Sequence, residues 1–193
     1  AFNPQAYLLQ GNGYQAAGMF LQAETAYQTG LNYAPHSAQL LKALGTACAM
    51  QRKFDRAEQQ YRAALDLYPR FHQVFNDLGN VHHQRGEFAQ AIAAYRQAAS
   101  KIGNAADIQR NLALAYVAAD SLPQAIRIYN RLLADAPNDV VLYYELGEAY
   151  LKQARREPGV LPYARASFER FLKHWRGPEQ YAEQARQRFE AIR

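Results

Sequence analysis

Cysteine is nearly missing from this chain. Cys48 stands alone among 193 residues, so no internal disulfide can form and no cysteine cluster can bind a metal. With no base near it in the sequence, Cys48 reads as a small buried core residue rather than a nucleophile. Long apolar runs are missing too, and no stretch reaches the roughly 18 apolar residues that a membrane-spanning helix needs. The opening residues, AFNPQAYLLQ, have neither the basic start nor the long apolar middle of a secretory signal. The chain begins with Ala1 rather than Met, which fits a processed or trimmed fragment of a longer protein. Catalytic signatures are lacking as well: there is no glycine-rich phosphate loop, nucleophile elbow or paired metal-binding histidine motif. His82 and His83 are adjacent, and on a helix they point about 100° apart, a poor arrangement for one metal. His36, His72 and His174 stand alone. These absences predict a chain that is not an enzyme and uses no cofactor and no metal.

Charge is scarce at one end. Residues 1–41 hold a single charged side chain, Glu24. So bare a surface suggests that another repeat, another domain or a second subunit covers it. The net charge of +5 comes from the other end, where residues 152–193 hold ten Lys and Arg against five Glu. A nucleic-acid or acidic-membrane footprint could lie only there, and a solvated basic helix surface is favoured over it.

What the chain does have is a core and a rhythm. Hydrophobic residues make up 49% and aromatics 12%, enough to bury an interior and to argue against disorder. One phrase recurs at a spacing of 34: FLQAETAYQTGLNYAP, FDRAEQQYRAALDLYP, FAQAIAAYRQAASKIG and LPQAIRIYNRLLADAP. The closers are Pro35, Pro69 and Pro137, with Gly103 in the third place. Small residues stand 24 before each closer (Gly11, Gly45, Gly79, Ala113) and 12 before it (Ala23, Ala57, Ala91, Ala125). Eight before it stands an aromatic: Tyr27, Tyr61, Tyr95 or Tyr129. Such a period is the signature of a repeat architecture.

Within each unit the apolar spacing is helical, as in Leu41, Leu44 and Cys48 followed by Ala57, Tyr61 and Ala64. Gly18 and Gly86 suit the turn between two helices, and Pro123 suits a helix start. A closing proline stops the second helix. Each unit is therefore expected to be a helix–turn–helix, with Gly45 facing the Ala57 region and Tyr61 filling the gap toward the next unit. One unit cannot bury its own apolar stripe, so neighbours must stack.

A fifth unit starts on schedule with Tyr143, Leu146, Gly147 and Tyr150, and then departs from it. Placing Ala164 and Phe168 in the Ala and Tyr positions puts them five residues late, so an insertion is expected near 153–162, with Pro158 to Pro162 as an extended loop. The second helix should then run from about Tyr163 to His174. The domain expectation is one array over 1–193. Its repeats lie near 4–37, 38–71, 72–105, 106–139 and 140–177, with a capping helix at 178–193.

These residues resemble the tetratricopeptide repeat, a 34-residue helix pair with the same small, small, aromatic, small, proline signature. The resemblance covers essentially Pro4 to Arg176; Gly103 and Ala113 depart from it. It implies an all-α fold, a right-handed α-solenoid of about five units, with a concave groove lined by the first helix of each. Carried over position by position, the groove should show Asn12 and Gln15, then Lys42 and Thr46, then Gln73, Asn76, Asp77, Asn80 and His83. It continues with Arg110, Asn111 and Leu114, and with Tyr144, Glu145 and Glu148. The resemblance further implies a non-catalytic protein-interaction scaffold that binds a peptide segment or partner protein in that groove. The alternative is a structural or homo-oligomerising module of a larger assembly, docking through the uncharged N-terminal end.

An asparagine side chain both donates and accepts, so a row of them can pair with an extended peptide backbone of any sequence. Asn12, Asn76, Asn80 and Asn111 form a partial row, similar to the asparagine ladder of a glycosyltransferase's repeat domain. They read equally well as ordinary solvated residues. Other family members clamp a terminal carboxylate with Lys and Asn. Counting from Lys42, the matching positions here hold Thr46, Asp77, Asp107 and Asn111, whose acids would repel it. A ligand of mixed charge is expected instead, since Lys42 and Arg110 flank Asp77, with Glu145 and Glu148 further on. The Ala/Gln/Arg-rich style fits a bacterial cytoplasmic or periplasmic protein without choosing between them.

Overall fold

The computed structural model describes residues 3–102 and 105–191, and the third closer, Gly103, lies outside them, as do residues 192–193 of the expected capping helix. All regular secondary structure among the described residues is helical, with no strand. In order they are α1 (Pro4–Ala16), α2 (Phe20–Tyr33), α3 (Ala38–Met50), α4 (Phe54–Leu67), α5 (His72–Gln84) and α6 (Phe88–Ile102). Then follow α7 (Ala106–Ala118), α8 (Leu122–Asp135), α9 (Val140–Ala154), a 3₁₀ turn at Pro158–Val160, α10 (Leu161–His174) and α11 (Glu179–Glu190). They fall into two compact units, Ala1–Gly103 and Asn104–Arg193.

Local chemistry sets the helix ends. The Asn3, Ser37 and Asp139 side chains accept hydrogen bonds from first-turn amides of α1, α3 and α9, satisfying donors with no partner inside the helix. The second helices stop one residue short of the closing prolines. Ala34, Tyr68 and Ala136 have ψ of 72°, 84° and 71°, because proline's ring pushes the preceding residue out of the helical region. The turn inside each of the first four hairpins repeats at the same spacing. Gly18, Arg52, Gly86 and Asp120 all take positive φ, at 73°, 59°, 77° and 59°. This left-handed conformation favours glycine, yet two of the four hairpins reach it with a side chain.

In the first unit α1 pairs with α2, α3 with α4 and α5 with α6, while α2 lies on α3 and α4 on α5. Within each hairpin the glycine of the first helix lies directly against the tyrosine ring of the second. A Cβ at Gly45 would sit 2.7 Å from the Tyr61 ring, and one at Gly79 only 2.5 Å from Tyr95. The Ala57 carbonyl lies further from the Gly45 position, at 3.2 Å. Tyr61 thus lies against its own hairpin's glycine, and it shares a core with Val74 and Leu78 of the next hairpin. Tyr27, Tyr61 and Tyr95 are buried, and each ring's burial is worth about 2–3 kcal/mol. Cys48 is fully buried in the same core.

Charged groups tie successive hairpins. Glu24 on α2 accepts from Gln51 Nε2 at 2.8 Å, Lys53 Nζ at 2.8 Å and Arg56 Nη1 at 2.6 Å. One hairpin later, Glu58 accepts from Arg85 Nη1 at 3.0 Å. His82 is nearly buried, with its Nδ1 2.6 Å from Glu87 Oε2.

In the second unit α7 pairs with α8 and α9 with α10, α8 lies on α9, and α11 covers α10. Ala113 replaces the glycine and is buried with Tyr129. Gly147 faces Phe168, whose ring would lie 2.9 Å from an added Cβ. The segment expected as an extended loop is ordered differently. Pro158–Val160 forms a 3₁₀ turn leading straight into α10, where Pro162 falls in the first turn and its missing N–H leaves no bond unmade. From α11, Ala182 and Ala185 are buried.

Candidate functional site

The predicted groove residues all lie on first helices: Asn12 on α1, Lys42 and Thr46 on α3, and Gln73, Asn76, Asp77, Asn80 and His83 on α5. In the second unit Arg110, Asn111 and Leu114 lie on α7, and Tyr144, Glu145 and Glu148 on α9.

In the first unit a cleft of about 330 Å³ brings Asn12, Gln15, Lys42 and Thr46 together, with Leu8 and Phe71 as its apolar edge. Lys42 Nζ reaches Asp77 Oδ2 at 3.6 Å. Burial pushes the Asp77 carboxyl up from its ordinary range, against the pull of Lys42 and the Asn76 amide. Gln73 is exposed. His83 is turned onto the Phe88 ring, with centroids 5.5 Å apart.

A hydrogen-bond series runs beneath these faces. Tyr27 Oη donates to Asn12 Oδ1 at 2.8 Å, and to Gln15 Oε1 at 3.3 Å. Tyr61 Oη donates to Thr46 Oγ1 at 3.1 Å, and Tyr95 Oη to Asn80 Oδ1 at 2.7 Å. Each joins a first-helix residue to the tyrosine fifteen positions on. Burial raises the pKa of all three phenols, so they remain protonated donors. Sequence reasoning assigned these tyrosines to packing alone. The signal it passed over is that positions 12, 46 and 80 all carry hydrogen-bonding side chains.

In the second unit a larger cleft of about 570 Å³ brings Leu114, Tyr144, Glu145 and Glu148 together. Val117, Val141, Phe171 and Trp175 supply more of its wall, and Tyr181 and Gln184 reach it from α11. Trp175 and Tyr181 were not among the predicted site residues, because they lie outside the repeated phrase. Arg110 donates three hydrogen bonds of 2.6 to 3.0 Å to Glu145. This bonding holds its guanidinium pKa above the usual value. Arg188 Nε lies 3.2 Å from Glu148 Oε1. The charges expected to select a mixed-charge ligand are therefore matched to one another: Lys42 to Asp77, Arg110 to Glu145 and Arg188 to Glu148. Among the described residues no His, Cys, Asp and Glu group could hold a metal ion, and no helix is long and apolar enough to cross a membrane.

The repeated hairpin has a counterpart among known families. One tetratricopeptide-repeat model matches residues 8–70 and again 51–108, and a second matches 82–146. The chain belongs to the tetratricopeptide-repeat family. Solved structures with the same fold include PilF of Pseudomonas aeruginosa, 19% identical, with a TM-score of 0.76 over 98% of this chain and 88% of that one. YrrB, a tetratricopeptide-repeat protein with an unusual peptide-binding site, is 15% identical, with a TM-score of 0.75 over 96% and 92%. MamA of Desulfovibrio magneticus RS-1 is 16% identical, with a TM-score of 0.75 over 94% and 96%. No curated protein matches the chain in sequence.

Proposed function

We propose that this chain is a non-catalytic protein-interaction scaffold that holds an extended peptide segment of a partner against its first-helix faces. The observation that carries the reading is the fixing of Asn12 and Asn80. Each amide oxygen is taken by a buried tyrosine, which sets the amide's orientation and leaves its Nδ2 protons for a ligand. Pre-set N–H donors suit backbone carbonyls, which every peptide supplies whatever its sequence. YrrB, of like fold, is described by its peptide-binding site, which supports the same use here.

The test is binding of peptides selected from a random library on the intact chain. Removing Asn80 alone would strand the Tyr95 phenol, so the informative variants are Asn12→Ala with Tyr27→Phe and Asn80→Ala with Tyr95→Phe. Each should weaken the selected peptides about tenfold while leaving the helical signal intact. Unchanged affinity in both sinks the proposal.

A second reading is favoured by the first hairpin. Leu9 and Leu21 are 71% and 63% exposed, and Glu24, the only charge in residues 1–41, is buried in its ion-pair network. Such a face suits docking into a homo-oligomer or larger assembly. Sedimentation at rising concentration tests it: Leu9→Lys with Leu21→Lys should abolish any self-association, and a wild-type monomer throughout dismisses the homo-oligomer.

A further inference from the structure

The tyrosine series breaks twice in the second unit, and both breaks face one cleft. Positions 12, 46 and 80 are followed at the same spacing by Leu114 and Glu148. Leu114 can accept nothing, so the fully buried Tyr129 phenol has no hydrogen-bond partner among the described residues. In the next hairpin the tyrosine position holds Phe168, which has no hydroxyl to donate. Glu148 Oε1 is buried without a hydrogen bond, although Arg188 Nε balances its charge from 3.2 Å. Tyr129, Glu148 and Leu114 all line the 570 Å³ cleft, whose other walls are largely apolar and aromatic.

The occupant's chemistry follows from what those atoms lack. A pure hydrocarbon would leave a buried donor and a buried acceptor unpaired, the costly arrangement. A cation would be surplus, because Arg110 already saturates Glu145 and Arg188 neutralises Glu148. A neutral group with both an acceptor and a donor beside an apolar body meets every requirement, and that is a peptide unit carrying a large apolar side chain.

We propose that this cleft anchors a partner peptide by one large uncharged apolar side chain, with backbone C=O and N–H groups beside it pairing with Tyr129 and Glu148. The proposal rests on first-helix faces being binding surfaces and names the residue class that the second unit selects. Leu114 is the specificity-setting departure: it makes the cleft apolar and releases the phenol.

Trp175 is the only tryptophan in the chain and lines the cleft, so its fluorescence reports occupancy. The probes are short Gly/Ser peptides with a single central Leu or Phe, matched peptides with central Ser or Arg, and a Phe peptide N-methylated at the central residue. Leu and Phe peptides should shift Trp175 emission saturably. Ser and Arg peptides should bind at least about tenfold more weakly, and N-methylation should cost a similar factor by deleting the donor. Leu114→Asn should raise the melting temperature by pairing the phenol and weaken the Phe peptide about tenfold. Gln184→Phe, at an exposed α11 position, should fill the cleft and block binding without threatening the fold.

No Trp175 response to Leu or Phe peptides, or equal binding by both variants, overturns the proposal. So does a preference for the Arg peptide, or a Trp175 shift on concentrating the protein alone, which would assign the cleft to a second copy. If these variants change nothing while the Asn12 and Asn80 variants weaken selected peptides, the anchor fails and the broader reading stands. The reverse pattern supports the anchor and refutes the asparagine faces.

Discussion

The Tyr95 phenol donates a 2.7 Å hydrogen bond to Asn80 Oδ1, while its counterpart Tyr129, equally buried, donates to nothing among the described residues. One substitution should therefore act with opposite sign at the two positions. Tyr95→Phe should lower unfolding free energy by about 1 kcal/mol, and Tyr129→Phe should raise it by a similar amount by deleting a stranded hydroxyl. Urea midpoints of the two variants check this, and equal shifts would show that Tyr129 has a partner.

Gly79→Ala tests the close approach in the third hairpin. Alanine normally improves a helix interior by up to about 1 kcal/mol. Here its Cβ would lie 2.5 Å from the Tyr95 ring, so the ring must leave its place and the net effect should be a loss of about 2 kcal/mol. Gly13 on α1 has nothing near its missing Cβ. There the same substitution should stabilise, and thermal melts of both variants make the comparison.

The hairpins were legible because a 34-residue period repeats small residues and tyrosines that must meet. That Tyr27, Tyr61 and Tyr95 each also rest on their own hairpin's glycine was not read, since spacing along the chain does not reveal every surface a ring covers. Pro158 and Pro162 suggested an open loop, but one proline sits in a 3₁₀ turn and the other in the first turn of a helix, both places where proline is tolerated. The larger cleft was hidden for another reason. It depends on Trp175 and Tyr181, which fall outside the repeated phrase, and on hydroxyl partners fifteen residues apart that a search for apolar stripes does not weigh.

Arg52 and Asp120 hold a left-handed turn that two other hairpins make with glycine. Arg52→Gly should raise stability by about 0.5 kcal/mol, the relief of backbone strain outweighing the greater freedom of the unfolded chain. Asp120→Gly should gain nothing net, because Asp120 also pairs with Lys152 and Arg156. Denaturation midpoints measured side by side will separate the two.

Stability should fall in acid partly through Glu24. Burial alone would raise its carboxyl pKa, but hydrogen bonds from Lys53 and Gln51 and the charges of Arg56 and Lys53 leave it below the usual value. A carboxylate held low in the folded state contributes stability above its unfolded pKa and loses it as pH falls through the folded one. Glu24→Gln should cost about 2 kcal/mol at neutral pH and flatten the decline on the acid side. Urea titrations from neutral pH down through the ordinary glutamate range show both effects.

Because Tyr61 is seated on Gly45 and bonded to Thr46, the hairpin that carries them is fastened from within. A segment of that kind can be copied in tandem without any new joint having to be invented. Lengthening such a chain by one more hairpin needs only a neighbour with a matching outer side, and this gives a physical route by which gene duplication could have written the same phrase several times.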